Sequence, residues 1–226
     1  MAWNTHRLSG WRWMLLLLCA AVPLLAGYKV RPWTPRAIDA YPAKLLSEGV
    51  TIAAEPLLND ALAAEVFDDR AIVSRTIMPL AVIVSNSNDY PVEVEASSIE
   101  VLADGRRMLP LEPDDAVLQM LKSEKKRKIG GIGLPGGIRI KFDTAETALM
   151  HDFQRKWLGL KKVEPRTTGG GFIYVPVPAG RDLQAMLAGG RIYIPRVVRP
   201  DTGAELFFFE IDLKPAVDAL KSPRKR

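Results

Sequence analysis

The sequence predicts a mainly β protein: an immunoglobulin-like antiparallel β-sandwich with a helical, glycine-containing insertion and an N-terminal hydrophobic helix. Segments rich in β-branched residues alternate with turn signals through residues 49–112 and again through 169–213, which is the pattern of an antiparallel sandwich. Residues 113–168 between them lose that alternation and show helical spacing. The 226 residues suffice for one such domain with a sizeable core.

The first block of strands begins after Gly49. VTIAAEPLL (50–58) is the first candidate, and IVSRTIMPLAVIVSN (72–86) is long enough for one bent strand or two strands. Pro79 lacks an N–H group, so we expect a bulge or a sheet edge there. In PVEVEASSIEVLA (91–103) polar and apolar residues alternate, which indicates a half-buried strand.

The alternation in 91–103 predicts a core face. Val92 and Val94 share one side of the strand and Glu93 the other, so the valines are expected to be buried. Asp104-Gly105 is a hairpin signal and predicts that the following residues return beside this strand.

The second block repeats the pattern near the C-terminus. GGFIYVPVP (170–178) and RIYIPRVVRP (191–200) are predicted strands, and AELFFFEIDL (204–213) should return as the partner of the latter after a turn at 201–203. The chain has no cysteine pair and no tryptophan between residues 34 and 156, so the likeness to an immunoglobulin domain is one of architecture only.

The insertion, 113–168, is predicted to contain two helices. The first begins at Pro113 with two aspartates and ends in basic residues, an order that suits the helix dipole. The second covers 144–160, where Leu149, Phe153, Trp157 and Leu160 fall on one face. A glycine-rich stretch separates them.

Residues 1–27 are predicted to direct export, either as a cleaved signal peptide or as a retained membrane anchor. Arg7 and Arg12 precede an uncharged apolar run at 14–27 that is shorter than a comfortable bilayer span, as in a signal peptide. Trp11 and Tyr28 flank this run as aromatic residues flank a membrane anchor. Both alternatives place the rest of the chain outside the cytoplasm.

The exported part is predicted to divide into three segments. Residues 28–48, with three prolines and no clean periodicity, are expected to form an extended linker. The sandwich then covers 49–213. A short helix opened by Pro215 and a basic tail complete the chain over 214–226.

Composition and motifs give no enzyme signature, so no catalytic residue, cofactor or metal is expected. One cysteine and two histidines cannot form an internal disulfide or a Cys/His zinc site. GIGLPG (131–136) matches G-x-G-x-x-G but lacks the strand before it and the helix after it, so a loop is predicted. His151 is expected on a helix surface, and Asp68-Asp69 is expected to serve a turn because no calcium-loop spacing surrounds it.

Basic charge is concentrated in two stretches, and the first predicts a contact with anionic lipid. KSEKKRK (122–128) has five basic residues and one acidic, and the second stretch is the C-terminal tail. Without them the exported part has 20 basic and 25 acidic residues, and neither stretch is interleaved with aromatic residues, so nucleic acid is not expected as a partner. Basic side chains beside an apolar loop are typical of peripheral membrane contacts; a solvated helix end and a glycine linker are the alternative. The candidate contacts are Lys122, Lys125, Lys126, Arg127, Lys128, Ile129, Ile132 and Leu134.

The strand segments resemble those of uncharacterised bacterial envelope proteins of the lipoprotein-like kind, which have a leader followed by a single β-sandwich. The residues that carry the resemblance are GVTIAAEP (49–56), 81–113, GGFIYVPVP (170–178) and TGAELFFFEIDL (202–213). The resemblance implies an envelope location and no known activity. Cys19 lies in mid-run after Leu16-Leu17-Leu18, where a lipobox would need a small residue, so the chain departs from the lipoprotein pattern.

These observations lead to an expected function. The chain is expected to be an exported bacterial envelope protein, periplasmic or anchored facing the periplasm, that serves as a non-enzymatic binding or structural module. The alternative is a hydrolase or carbohydrate-active sandwich with a site on its loops. Expected partners are the membrane, through the N-terminal segment if it is uncleaved, and an envelope protein or anionic lipid.

Overall fold

The computed structural model describes residues 28–128 and 144–221, with side chains for 28–124 and 144–220. Within these ranges the fold is mainly β, as the sequence predicts. The strands are β1 (Lys44–Ser47), β2 (Val50–Pro56), β3 (Ile77–Asn86), β4 (Val92–Glu95), β5 (Glu100–Ala103), β6 (Arg106–Met108), β7 (Leu160–Val163), β8 (Thr168–Pro176), β9 (Arg191–Ile194), β10 (Val197–Arg199), β11 (Ala204–Glu205) and β12 (Phe209–Asp212). The helices are α1 (Asp60–Val66), α2 (Pro113–Lys128), α3 (Thr144–Lys156), α4 (Leu183–Leu187) and α5 (Lys214–Lys221), with short 3₁₀ turns at Ile38–Ala40 and Ala96–Ser98.

The strands form three antiparallel sheets of four strands each. Sheet I has the order β1-β2-β3-β8, sheet II the order β11-β10-β4-β7, and sheet III the order β12-β9-β5-β6. Sheets II and III pack together against one face of sheet I, an arrangement consistent with a β-sandwich. Alternate residues of β3 show this, since Val82 lies in the cluster shared with sheets II and III while Ile83 lies in a second cluster on the opposite face.

A layer of helices covers that opposite face of sheet I. Met120 of α2 and Phe153 of α3 are fully buried there against Phe172 of β8. Because sheet I is covered on both faces, β3 is a nearly continuous apolar run, IMPLAVIV, whereas β4 alternates. The alternation places Val92 and Val94 in the core, as predicted.

The segment 28–48, expected to be an extended linker, instead packs against the sandwich. Tyr41 is 2% exposed, Trp33 packs on Phe172 with 4.7 Å between ring centroids, and Lys44–Ser47 pairs with β2 as the edge strand of sheet I. The aromatic side chains in this segment bury enough apolar surface to hold it in place despite its prolines. The folded unit therefore begins well before Gly49.

The insertion has its two helices, but the second ends earlier than the spacing suggests. Helix α3 ends at Lys156, and Gly159 adopts a φ of +56° that turns the chain into β7, which pairs with β4. Leu160, predicted on the apolar helix face, is therefore 68% exposed on an edge strand. Leu149 and Phe153 are buried, as that face predicts.

Other details also differ from the sequence-based expectations. The predicted strands 91–103 and 191–200 are each divided between sheets II and III, the first into β4 and β5 and the second into β10 and β9. Pro79 pairs regularly within β3, which is a central strand. Its carbonyl accepts a hydrogen bond from the N–H of Leu57, the first residue after the end of β2. Because its neighbour on this side already lies outside β2, the N–H that Pro79 lacks leaves no residue of that strand unpaired. The predicted return strand 204–213 is interrupted, and Phe207 and Phe208 are exposed between β11 and β12. The hairpin at Asp104-Gly105 is present as predicted, with positive φ at both turn residues.

Candidate membrane-proximal surface

A buried polar cluster fastens the first described residue to the domain. The Tyr28 hydroxyl donates a hydrogen bond of 2.5 Å to Asp152 Oδ2. Lys156, one helical turn further along α3, donates to the two carboxylate oxygens of Asp152 at 2.7 and 2.6 Å and to the Val66 carbonyl at 2.9 Å. Its ammonium also lies 4.6 Å from the centroid of the Phe67 ring. Asp152 and Lys156 are 0% and 7% exposed, so this is a buried ion pair whose hydrogen-bonding groups are engaged.

Burial governs the protonation of this cluster. Desolvation lowers the pKa of Lys156, and its hydrogen bond to Asp152 opposes that shift. Desolvation, strengthened by the hydrogen bond to the Asp152 carboxylate, raises the pKa of Tyr28. Burial also raises the pKa of Tyr174, whose hydroxyl donates to the Phe153 carbonyl at 2.7 Å. With their pKa values raised, both tyrosine hydroxyls stay protonated and able to donate at neutral pH.

The next residues of the N-terminal segment are fixed by Asp68. The backbone N–H of Lys29 donates to Asp68 Oδ2 at 2.8 Å, and Arg31 Nη2 donates to Oδ1 at 3.0 Å. Arg31 also donates to the Ala64 carbonyl at the end of α1. The hydrogen bond from the Lys29 backbone, followed by that from Arg31, lowers the pKa of Asp68. Asp68 thus holds a distant segment and does not serve a local turn; the turn role predicted for the Asp68-Asp69 pair is filled by Asp69, whose Oδ1 accepts a hydrogen bond from the Ala71 N–H at 2.8 Å.

The neighbouring Asp69 leads from this point to helix α2. Its carboxylate pairs with Arg75, which is 7% exposed and donates from Nη1 to Glu124 of α2 at 3.3 Å. Arg75 Nε also donates to the Ala71 carbonyl at 3.1 Å. One buried guanidinium therefore joins the loop that holds Lys29 to the part of α2 where the basic stretch begins.

The direction of α2 is set by its contacts with sheet I. Just before the helix, the Leu111 N–H donates to the carbonyl of Tyr174, the residue opposite Pro79 in β3. Further along the helix, Gln119 donates to the carbonyl and the hydroxyl of Thr76, which directly precedes β3. The helix therefore runs toward the beginning of β3, and its last nine residues extend about 13 Å past Gln119 at 1.5 Å per residue.

The N-terminal segment enters the domain at that same end. Lys29 is held beside the Asp69–Arg75 pair, just before β3 begins. Trp33 packs on Phe172, the partner of Ala81 in β3. Pro35 approaches Gly170, the partner of Ile83 further along β3. The segment thus runs from the beginning of β3 toward its end. Residue 28 and the basic stretch of α2 lie at one end of the sandwich, which we call the entry end.

Of the predicted lipid-contact residues, only Lys122 has a side chain in the described part of the chain. Lys122 is exposed on α2 at the entry end. Lys125, Lys126, Arg127 and Lys128 belong to the helix backbone, but their side chains lie outside the described part of the chain. Ile129, Ile132, Leu134 and the whole 131–136 motif also lie outside the described residues, so the lipid contact stays a prediction.

The buried cluster was not foreseen from the sequence. A signal for it exists, since Asp152 and Lys156 are four residues apart and Asp152 adjoins the apolar position Phe153 on the helix. No local pattern connects them with Tyr28, 124 residues earlier. His151, by contrast, is exposed on α3, as predicted, with its Nδ1 3.3 Å from Gln154 Oε1.

In the described ranges, no three histidine, cysteine, aspartate or glutamate side chains come together as a metal ion would require. Among the helices of those ranges, none has the length and apolar character needed to cross a bilayer.

Comparison with known proteins gives little further guidance. No protein-family model matches the chain, and neither does any curated protein sequence. Among solved structures, the chain is similar to a candidate lipoprotein, ycdA, from Bacillus subtilis, with 11% sequence identity and a TM-score of 0.36. The match covers 75% of this chain and 38% of that protein. A TM-score this low bears on neither the architecture nor the function of the chain.

Proposed function

We propose that this chain is a non-enzymatic bacterial envelope domain, anchored by its N-terminal segment and held against an anionic membrane surface by the basic stretch 122–128. The observation that carries the proposal is the entry end itself. Lys29 and Glu124 are linked through Asp68-Asp69 and Arg75, so the continuation toward residues 1–27 and the basic stretch leave the domain together.

The buried cluster formed by Tyr28, Asp152 and Lys156 supports the retention of residues 1–27. Residue 28 is locked into the domain by Asp152, with no flexible spacer between it and the apolar run at 14–27. Such docking fixes the orientation of the domain at a membrane only if the apolar run stays attached. With the run in the bilayer, the entry end faces the lipid headgroups, and the turns at the other end of β3 face away.

Electrostatics supports the second contact. Basic residues near an anionic surface contribute about 1 kcal/mol each, and the attraction falls off within a Debye length of about 10 Å at 0.1 M salt. The stretch 122–128 carries five such residues and begins beside the point where the chain enters the domain. The buried polar side-chain atoms of the described residues all have hydrogen-bond partners, and in this proposal these groups serve packing.

Anchoring is tested by the intact mass of the chain in membrane and soluble fractions of the producing bacterium. The proposal expects a chain that retains residues 1–27, in the membrane fraction, after a high-salt wash. A chain that begins near residue 27 and is recovered in the soluble fraction would overturn the anchor.

The basic contact is tested separately, in vesicles that hold the full chain. Hydrogen exchange of backbone amides in 122–128 should be slower with phosphatidylglycerol present than in pure phosphatidylcholine. Changing the five basic residues of this stretch to Gln should abolish the difference. The matched control changes five exposed basic residues elsewhere to Gln and should keep it; these are Lys44, Arg155, Lys162, Arg166 and Arg196. Equal exchange in both lipids would contradict the contact.

A further inference from the structure

A cavity of about 330 Å³ opens at the turn between β5 and β6. Its wall includes three arginines, Arg106, Arg107 and Arg191, and two glycines, Gly105 and Gly189. We propose that this cavity binds a phosphate group, at a site separate from the stretch 122–128.

Strand register brings two of the arginines together. Leu102 of β5 pairs with Arg107 of β6 on one side and with Arg191 of β9 on the other. Directly paired residues of neighbouring strands point to the same face, with their Cβ atoms about 5 Å apart. Two guanidinium groups therefore flank a single leucine on the outer face of sheet III.

Carboxylates hold these two side chains in place without consuming their donors. Arg107 Nη2 pairs with Glu100, and Arg191 Nη1 pairs with Glu210 at 2.5 Å. A guanidinium has five N–H donors, and each pair uses only one nitrogen. The remaining donors can bind a ligand from side chains that are already positioned.

Arg106 adds a positive charge with no partner among the described residues. It follows the Asp104-Gly105 turn and lines the same cavity. Asp104, the one acidic residue in the cavity wall, is itself paired with Arg181 at 3.4 Å. The wall itself thus contains three arginines and one carboxylate; since Glu100 and Glu210 beside it pair with Arg107 and Arg191, Arg106 supplies the uncompensated charge.

The glycines leave the cavity open. A Cβ atom added at Gly105 or at Gly189 would meet no other atom within 4 Å. No side chain from these two wall positions therefore narrows the cavity. The cavity is also of the size typical of small-ligand sites, about 300 to 1,000 Å³.

The ligand class follows from the donors. The planar fork of arginine matches the oxygens of a phosphate group, and several forks favour a phosphate over a singly charged carboxylate. The turn between β5 and β6 lies toward the entry end. Its Asp104 contacts Arg181, and Val177, four residues before Arg181, donates from its backbone N–H to the carbonyl of Thr76, which directly precedes β3. The phosphate could therefore belong to a soluble compound or to a lipid headgroup.

Arginine modification by phenylglyoxal, read by peptide mass spectrometry, distinguishes these sources. The full chain is placed in phosphatidylcholine nanodiscs, and inorganic phosphate is added in one arm. In a second arm the nanodiscs contain phosphatidic acid and no phosphate is added. Arg155, which is exposed on α3 and outside the cavity, is the internal control in every spectrum.

The proposal expects modification of Arg106 and Arg191 to slow at least tenfold in one or both arms while Arg155 is unaffected. Protection by inorganic phosphate indicates a soluble source, and protection by phosphatidic acid alone indicates a headgroup. Arg191→Gln should remove the protection of Arg106 at the same ligand concentration. Absence of protection in both arms, equal protection of Arg155, or full protection of Arg106 in the Arg191→Gln variant would overturn the proposal.

Discussion

The Tyr28 hydroxyl donates to the buried carboxylate of Asp152, which also accepts two hydrogen bonds from Lys156. Asp152 lies on α3 and Tyr28 directly follows the predicted leader, so this contact ties the start of the described chain to the helical layer. A buried ion pair contributes little net stability over an apolar pair of similar volume, but it is costly to break. The pair is thus well suited to fix one position of the N-terminal segment.

Removing one partner of this pair should be more harmful than removing both. Lys156→Met leaves the Asp152 carboxylate buried without a cation and should lower the free energy of unfolding by about 3 to 5 kcal/mol. The double variant Asp152→Leu, Lys156→Met should recover most of that loss. Urea denaturation of the three proteins measures this, and a Lys156→Met variant within about 1 kcal/mol of the native protein would contradict it.

The raised pKa of Tyr28 predicts a loss of stability at alkaline pH. Below pH 10 its hydroxyl is protonated in both states; above that value the unfolded chain releases the proton while the folded chain keeps it, so stability falls as pH rises. Tyr174 acts in the same direction, whereas the lowered pKa of Lys156 acts in the opposite one as pH approaches 10.5. Melting temperatures between pH 9 and 11 should therefore fall less steeply in Tyr28→Phe than in the native protein. Parallel curves would count against the assignment.

The two faces of β4 should respond differently to substitution. Val94 is fully buried, so Val94→Asp places an unpaired charge in the core and should cost several kcal/mol. Glu93 lies half-buried on the other face, and Glu93→Gln should change the free energy of unfolding by about 0.5 kcal/mol or less. Thermal denaturation of the two variants decides the matter, and equal melting temperatures would show that the core face is misassigned.

Period-two patterns such as that of β4 could be interpreted from the sequence because one face of the strand is buried and the other is not. The linker prediction for 28–48 was wrong because burial of Trp33 and Tyr41 depends on a sheet surface formed by distant residues such as Phe172. The entry end could not be predicted from the sequence either, because it depends on contacts between segments far apart in sequence, such as that of Arg75 with Glu124. The basic stretch itself was visible, because charge is a local property of the sequence.

Close packing of β8 against the chain that leaves α3 predicts sensitivity at Gly171. A Cβ atom there would lie 2.6 Å from the Leu158 Cα, a backbone atom that cannot yield without moving the chain. Gly171→Ala should therefore lower the free energy of unfolding by about 1 to 3 kcal/mol. Gly189→Ala is the matched control, because a Cβ atom there meets nothing within 4 Å. Similar melting temperatures for both variants would contradict this packing.

The orientation of the domain at the membrane is tested most directly by fluorescence quenching from lipid headgroups. In a Cys19→Ser background, a single cysteine replaces either Ser123, on α2 at the entry end, or Ser87, in the turn after β3. The ten residues of β3 separate the two ends by about 30 Å. Each variant carries a fluorophore and is reconstituted as the full chain in vesicles that contain phosphatidylglycerol and a headgroup quencher. We expect strong quenching at position 123 that weakens at high salt, and little quenching at position 87. Equal quenching at both positions, or stronger quenching at 87, would contradict this orientation.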